Sequence, residues 1–162
     1  MRILCRTRFF LCSALLPLLA GCIDPITAPQ CLETTLSQSS VSGDTITLNT
    51  GLRYIEGAAG AGIPAEWCVP LATHYTDYLA DGTRLDSSHD FDLPLTFTPG
   101  LGDLIEGFEQ GVIGMRVGGT RRLIVPPHLA FGSQELRNAA GEIVIPANST
   151  LVYDIEIITI PQ

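Results

Sequence analysis

The residues most able to do chemistry in this sequence are aromatic and acidic side chains near predicted strand ends, among them Tyr75, Asp86 and Tyr153. The sequence has no Gly-x-Ser-x-Gly elbow, no phosphate-binding loop ending in Gly-Lys-Ser/Thr and no Cys-x-x-Cys pair. Its histidines are scattered without metal-site spacing, and Cys68 with His74 lacks any nearby orienting group for a nucleophile. We therefore predict a site without metal, cofactor or covalent catalysis.

Strands are the main elements that could position these side chains. Asp81-Gly82 is a strong hairpin signal because glycine accepts positive φ, and apolar segments flank it on both sides. At the end of the chain, Leu151, Tyr153, Ile155 and Ile157 alternate with more polar residues, as in a half-buried strand. The predicted strands are residues 71–79, 84–86, 95–98, 120–125 and 150–160.

One segment has the pattern of a helix. Asp103 is predicted to cap it, Glu106 follows three residues later as in a capping box, and Phe108 and Val112 belong to an apolar stripe. Glycines keep the helix short. Strands around one short helix predict an α+β domain, with a curled antiparallel sheet wrapped around the helix.

Five strings of residues, in the same order along the chain, resemble the signature of FKBP-type peptidyl-prolyl cis-trans isomerases. That family has His-Tyr-Thr-Gly, Asp-Gly-x-x-Phe-Asp-Ser-Ser, Val-Ile-x-Gly-Trp-Glu-x-Gly, Met-x-x-Gly with Ala-Tyr-Gly, and Ile-Pro-Pro-x-x-x-Leu-x-Phe-Asp. The strings here are His74-Tyr75-Thr76, Asp81 to Ser88, Leu104 to Gly111, Met115 to Gly118 with Ala130 to Gly132, and Ile145 to Asp154. Residues 44–162 are thus predicted to form one FKBP-type domain.

The resemblance implies a proline-binding pocket between the concave face of the sheet and the helix. By matching position, the catalytic residues would be Tyr75, Asp86, Phe108, Phe131 and Tyr153. Leu85, Leu95, Leu104 and Ile105 would bind the substrate, a proline-containing polypeptide. Phe108 would form the floor, and Asp86 would act electrostatically, through Tyr75, rather than as a base.

Rotation about an X-Pro bond needs no nucleophile, because no covalent bond is broken. The barrier of about 18 to 20 kcal/mol comes from amide resonance, which is lost in the twisted transition state. An apolar, preshaped pocket that strips water from the amide favours that less polar state.

Several positions depart from the family's usual residues. Leu85 and Leu95 stand where phenylalanine is usual, and Phe131 replaces a tyrosine whose hydroxyl donates a hydrogen bond. Each lost aromatic edge or donor is worth about 1 kcal/mol. A weaker isomerase is the first interpretation. The alternatives are a non-catalytic module that binds proline-containing segments of envelope proteins and a purely structural lipoprotein.

The first residues have the order of a secretory signal: three arginines, an apolar run from Phe9 to Ala20, then Leu19-Ala20-Gly21-Cys22. The last four resemble a bacterial lipobox, which implies cleavage after residue 21 and a lipid on Cys22. Residues 22–43 would be a flexible tether. We predict an extracytoplasmic protein anchored to a bacterial membrane on its periplasmic side, with Ile23 favouring the outer membrane.

Charge and cysteines limit the partners further. Removing residues 1–21 takes three of the nine arginines and none of the 17 acidic residues, so the net charge changes from −8 to −11. Such an acidic chain opposes nucleic-acid binding and offers no polybasic patch for anionic lipid. Cys31 and Cys68 can form a disulfide in an oxidising compartment, and the alternative is two unpaired thiols.

Overall fold

Twelve β-strands and one α-helix are present in the part of the chain that the computed structural model describes: Cys31, Leu36, Gln38–Ser42 and residues 44–160. The predicted signal peptide and Cys22 lie outside these residues. The strands are β1 (Gln38–Ser42), β2 (Thr45–Leu48), β3 (Arg53–Glu56), β4 (Ala61–Pro64), β5 (Leu71–Leu79), β6 (Arg84–Ser87), β7 (Leu95–Phe97), β8 (Arg116–Val117), β9 (Thr120–Val125), β10 (Leu136–Arg137), β11 (Ile143–Ile145) and β12 (Leu151–Thr159). Helix α1 spans Glu106–Val112.

Eight strands form one antiparallel sheet, in the order β1-β2-β3-β9-β12-β5-β6, with β7 also paired to β5. Two smaller pairs, β4 with β8 and β10 with β11, lie outside it. The predicted α+β class, a mostly antiparallel sheet with one short helix, is confirmed.

The two nine-residue strands β5 and β12 pair along their length at the centre of the sheet. The alternation predicted for β12 is confirmed, since Leu151, Tyr153, Ile155 and Ile157 are buried. Paired residues share a face of a sheet, so Tyr75, opposite Ile155, and Asp77, opposite Tyr153, face the same side. This side carries the core and the candidate site.

The hairpin predicted at Asp81-Gly82 joins β5 to β6. Gly82 has a φ of +90°, and the N–H of Thr83 donates to Asp81 Oδ1 over 2.9 Å. Glycine accepts this left-handed conformation at no steric cost, which is why the short turn forms here.

Helix α1 packs so closely on β9 that only glycine fits at two of its positions. A Cβ on Gly107 would lie 2.3 Å from Val125 Cγ1, and one on Gly111 would lie 2.2 Å from Leu123 Cδ1. The helix can therefore bring Phe108 down against the sheet.

The prediction that Asp103 caps this helix was wrong. The N-cap is Ile105, which makes no side-chain cap hydrogen bond. Instead the buried Glu109 reaches back and accepts the N–H of Gly100 over 2.9 Å and that of Leu104 over 3.3 Å. The carboxylate that orders the loop before the helix therefore belongs to Glu109, within α1, and not to Asp103.

The sheet begins earlier than the predicted domain start at Asp44, since β1 lies within the segment predicted as a tether. Cys31, in the same segment, is disulfide-bonded to Cys68, with Cα atoms 5.7 Å apart. No helix among the described residues is long and apolar enough to span a membrane.

Candidate active site

A cleft of about 460 Å³ opens between the inner face of the sheet and helix α1. Its lining comes from β5, β7 and β12, from α1 with the loop before it, and from the residues after a short 3₁₀ helix at Pro127–Leu129. The residues in the lining are Tyr75, Asp77, Leu95, Asp103, Leu104, Ile105, Phe108, Phe131 and Tyr153. Seven of these nine residues belong to the predicted site.

Phe108 forms the base of the cleft and is the centre of an aromatic cluster. Its ring makes edge-to-face contacts with Tyr75, Phe97 and Tyr153, with ring centroids 6.1, 5.5 and 5.2 Å apart. Such arrangements are favourable beyond the area they bury, by about 0.5 to 1.5 kcal/mol each. The cluster fixes the floor in one orientation, and its fourth member, the buried Phe97, was missed by the sequence analysis.

Tyr75 and Asp86 form the polar pair at the rim. The hydroxyl of Tyr75 donates to Asp86 Oδ2 over 2.7 Å. Burial raises the pKa of Tyr75 well above its ordinary value, and the hydrogen bond to Asp86 raises it further. Tyr75 therefore keeps its proton at neutral pH, and the exposed Asp86 is joined to the cleft through this hydroxyl.

Asp77 is a second carboxylate in the cleft, and the sequence analysis did not select it. It follows His74-Tyr75-Thr76, where the family string has glycine. Only 9% of Asp77 is exposed, and its Oδ1 accepts the N–H of Asp86 over 2.6 Å. The sequence does indicate Asp77, because it lies two residues after Tyr75 and so shares its face of the strand.

The position of Asp77 predicts a specific pH dependence of stability. Burial raises its pKa above the ordinary 3.8, the N–H of Asp86 opposes this, and the charge of Asp86 adds to it. The folded state thus binds the proton of Asp77 more tightly than the unfolded state does. The contribution of this proton to the free energy of unfolding is complete below about pH 3.8 and is lost as the pH rises through the raised pKa. Compared with wild type, Asp77→Asn should gain free energy of unfolding between about pH 3 and about pH 7, measured by urea denaturation.

Asp81→Asn is the matched control for this prediction. The N–H of Thr83 lowers the pKa of Asp81, so its contribution is present above the ordinary pKa and lost as the pH falls. As the pH rises, the free energy of unfolding of Asp81→Asn should therefore fall relative to wild type, the opposite of the change expected for Asp77→Asn. If the free energies of unfolding of both variants, relative to wild type, change with pH in the same direction, Asp77 is not the source of the predicted pH dependence.

Two predicted residues lie outside the lining of the cleft. The register between β5 and β6 shifts at Leu85, which has no Cα partner on β5, and its half-buried side chain packs against the core. A bulge of this kind redirects a side chain, so Leu85 packs beside the cleft while its predicted role in substrate binding stays a prediction. Asp86 lines an adjoining cleft instead.

A second groove of similar size, about 470 Å³, includes the opposite face of the sheet around His74 and Glu156. Its lining contains two ion pairs, Arg121 with Glu56 and Arg122 with Asp154. Charges that already pair with each other do not form a pocket for a proline ring, so the apolar cleft is the candidate site. Among the described residues, no cluster of three His, Cys, Asp or Glu side chains could hold a metal ion.

The cleft is thus apolar, floored by aromatic rings and rimmed by one tyrosine–carboxylate pair. The family model for FKBP-type peptidyl-prolyl cis-trans isomerase matches residues 70–158. The chain belongs to this family.

Relatives agree with this assignment. The FK506-binding protein of Neisseria meningitidis serogroup C is 40% identical over 90 residues, which are 56% of this chain and 78% of the relative. The chloroplastic photosynthetic NDH subunit of lumenal location 4 of Arabidopsis thaliana is 41% identical over 117 residues, 68% of this chain and 54% of the relative. The chain thus spans only about half the length of this relative.

Among solved structures, the crystal structure of FkpA from Escherichia coli superposes with a TM-score of 0.63 at 33% sequence identity. The match covers 74% of this chain and 52% of that one. This superposition confirms the predicted FKBP-like fold.

Proposed function

We propose that this protein is a peptidyl-prolyl cis-trans isomerase that assists the folding of exported proteins. The observation that carries the proposal is the aromatic floor of Phe108 beneath the Tyr75–Asp86 pair. An X-Pro amide that enters the cleft leaves water, and its twisted, less polar transition state is favoured there over the planar ground state. Membership of the isomerase family supports the same activity.

The residues have distinct roles in this proposal. The proline ring lies on Phe108, with Tyr153 and Phe131 as walls. Ile105 is the N-cap of α1, where N–H groups have no carbonyl partner within the helix, and its own N–H holds a substrate carbonyl. Tyr75, kept protonated, presents its hydroxyl at the rim while Asp86 fixes its direction.

The activity is tested by NMR exchange spectroscopy on an X-Pro peptide, with and without the protein. Catalysis should shorten the exchange from the uncatalysed tens of seconds. A folded sample that binds the peptide without accelerating exchange would overturn the proposal. It would favour the second candidate, a non-catalytic proline-binding module, for which the observation is that Leu95 and Phe131 line the cleft in place of the family's phenylalanine and tyrosine.

The Tyr75–Asp86 pair is tested by a double-mutant cycle. Tyr75→Phe and Asp86→Ala should each lower kcat/KM about fivefold, because each removes the one hydrogen bond between them, worth about 1 kcal/mol. The double variant should lose little more than either single variant, since both changes break the same bond. Tyr78→Phe, on the opposite face of β5, is the control. Additive losses would show that Asp86 acts independently of Tyr75.

We further propose that the protein works outside the cytoplasm, held to a bacterial membrane by a lipid on Cys22. The arginines and apolar run before Leu19-Ala20-Gly21-Cys22 support export and cleavage there. The disulfide between Cys31 and Cys68 is consistent with an oxidising compartment. One relative is named as lumenal and chloroplastic.

Mass spectrometry of the protein from bacterial membranes tests the anchor. We expect a chain that begins at Cys22 and carries acyl groups, and we expect Cys22→Ser to remain unprocessed. An unmodified mature N-terminus would contradict the anchor while leaving the isomerase proposal intact.

A further inference from the structure

A second cleft, of about 260 Å³, adjoins the proline cleft. Tyr75 and Leu95 line both, so the two are continuous at the rim. The rest of its lining comes from the end of β6, the segment between β6 and β7, and β7 itself: Asp86, Ser87, Ser88, Phe91, Leu93, Pro94 and Thr96. A polypeptide that places a proline on Phe108 can therefore reach this second cleft.

Two large apolar side chains stand exposed in this cleft. Phe91 is 79% exposed and Leu93 is 69% exposed. Among the residues that the structure describes, the next most exposed large hydrophobic residue is Ile143, at 48%. Isolated exposed hydrophobics are common, but two neighbours that line one cleft form a surface suited to binding another apolar group.

The segment that carries Phe91 and Leu93 is held in a defined conformation. The hydroxyl of Ser87 accepts the N–H of His89 over 3.3 Å, and the N–H of Leu93 donates to Ser88 O over 3.2 Å. Asp92 has a φ of +49°, a left-handed conformation that aspartate tolerates. Hydrogen bonds before the apolar pair and at Leu93 thus hold the backbone of this segment in place.

We propose that this second cleft binds an apolar side chain of the substrate that lies two residues from the proline. The inference rests on the proposed isomerase function. In an extended polypeptide, alternate side chains point to the same side, about 7 Å apart, so one side chain can follow the proline into the adjoining cleft. Phe91 and Leu93 would then determine which substrate side chain is preferred two residues from the proline.

The charges around the cleft define what it rejects. Asp86 lines it and Asp92 lies between Phe91 and Leu93, whereas Asp90 is paired with Arg84. An acidic substrate side chain would meet like charges there, which is unfavourable. We therefore expect the preference at this substrate position to fall from leucine to serine to glutamate.

Peptides that share one Ala-Pro centre, with Leu, Ser or Glu two residues before or two residues after the proline, test the inference. We expect kcat/KM of the wild-type protein, measured by NMR exchange, to be about tenfold higher for the leucine peptide than for the serine peptide at one of these positions. In Phe91→Ser/Leu93→Ser this ratio should fall to about one, and Leu93→Ser alone should give an intermediate ratio. The control is Ile63→Ser, an exposed residue of β4, which should keep the wild-type ratio.

The outcomes separate the inference from the function on which it rests. A double variant that is folded by its amide NMR spectrum and keeps the wild-type ratio would overturn the second cleft and leave the isomerase proposal standing. Equal wild-type rates for leucine and serine peptides would overturn it as well. If the wild-type protein accelerates none of the peptides, the isomerase function fails and the inference fails with it.

Discussion

Replacing Arg121 by alanine is expected to lower the free energy of unfolding by about 3 kcal/mol. Arg121 lies on β9 and is only 7% exposed. Its Nη1 donates to the carbonyls of Gly111, over 2.6 Å, and Ile113, over 3.1 Å, at the end of α1. The same guanidinium binds both carboxylate oxygens of Glu56 on β3. One side chain therefore joins the helix to two strands.

The size of this effect follows from what alanine would leave behind. Carbonyls at the end of a helix have no partners within it, and a cation there also interacts favourably with the helix dipole. Without Arg121, the carbonyl of Gly111 is left buried with no donor in its place, and the ring of Tyr54, 4.2 Å below the guanidinium, loses its cationic partner. A single substitution therefore removes the helix cap, the ion pair and the ring contact together.

Arg122→Ala is a matched control, one residue away on the same strand. Arg122 forms two hydrogen bonds of 2.6 Å with Asp154, but both side chains are largely exposed. Exposed ion pairs contribute less than about 1 kcal/mol, so this variant should unfold near the wild-type urea concentration. Equal losses for the two variants in urea denaturation would show that burial of Arg121 does not matter.

The elements that were predicted correctly are those whose signal is local. The alternation in β12 and the Asp81-Gly82 turn each depend on neighbouring residues alone, and both were found where expected. Most of the cleft lining was also predicted, but by resemblance, because a pocket that joins β5, α1 and β12 cannot be derived from periodicity within any one of them.

The features that the sequence did not predict depend on how the elements pack and pair around each residue. Asp103 has the sequence of a cap, but Glu109 captures the loop before the helix. Leu85 aligns with a pocket residue, yet a shift of strand register moves it out of the lining. Phe97 lies in a predicted strand, and only the docking of α1 brings its ring against Phe108. Strand register and helix docking are set by the whole core.

Replacing Phe108 by alanine is expected to lower kcat/KM about a hundredfold, a change of about 2.7 kcal/mol in transition-state stabilisation. Phe108 is the floor on which the proline ring would lie, and its ring holds Tyr75 and Tyr153 in place by edge-to-face contacts. Without it, the cleft deepens and admits water, which favours the planar, polar amide over the twisted state. The measurement is NMR exchange on an X-Pro peptide.

A loss of activity could also follow from a loss of stability, and Phe97→Ala separates the two. Phe97 and Phe108 are 5% and 3% exposed and contact each other, but only Phe108 lines the cleft. Truncating a buried phenylalanine costs about 3 to 5 kcal/mol, so both variants should lose similar free energy of unfolding. With rates corrected for the folded fraction, Phe97→Ala should stay within about threefold of wild type.

The conservative variant Phe108→Leu completes this test. Leucine restores most of the buried volume without the aromatic face, so stability should recover to within about 1.5 kcal/mol of wild type. The rate should recover only in part, because leucine offers no ring for the proline to lie on. If Phe97→Ala lost as much activity as Phe108→Ala, or if leucine restored the full rate, the floor of the cleft would contribute packing alone. The source of catalysis would then have to lie at the rim, with Tyr75 and the helix N-terminus.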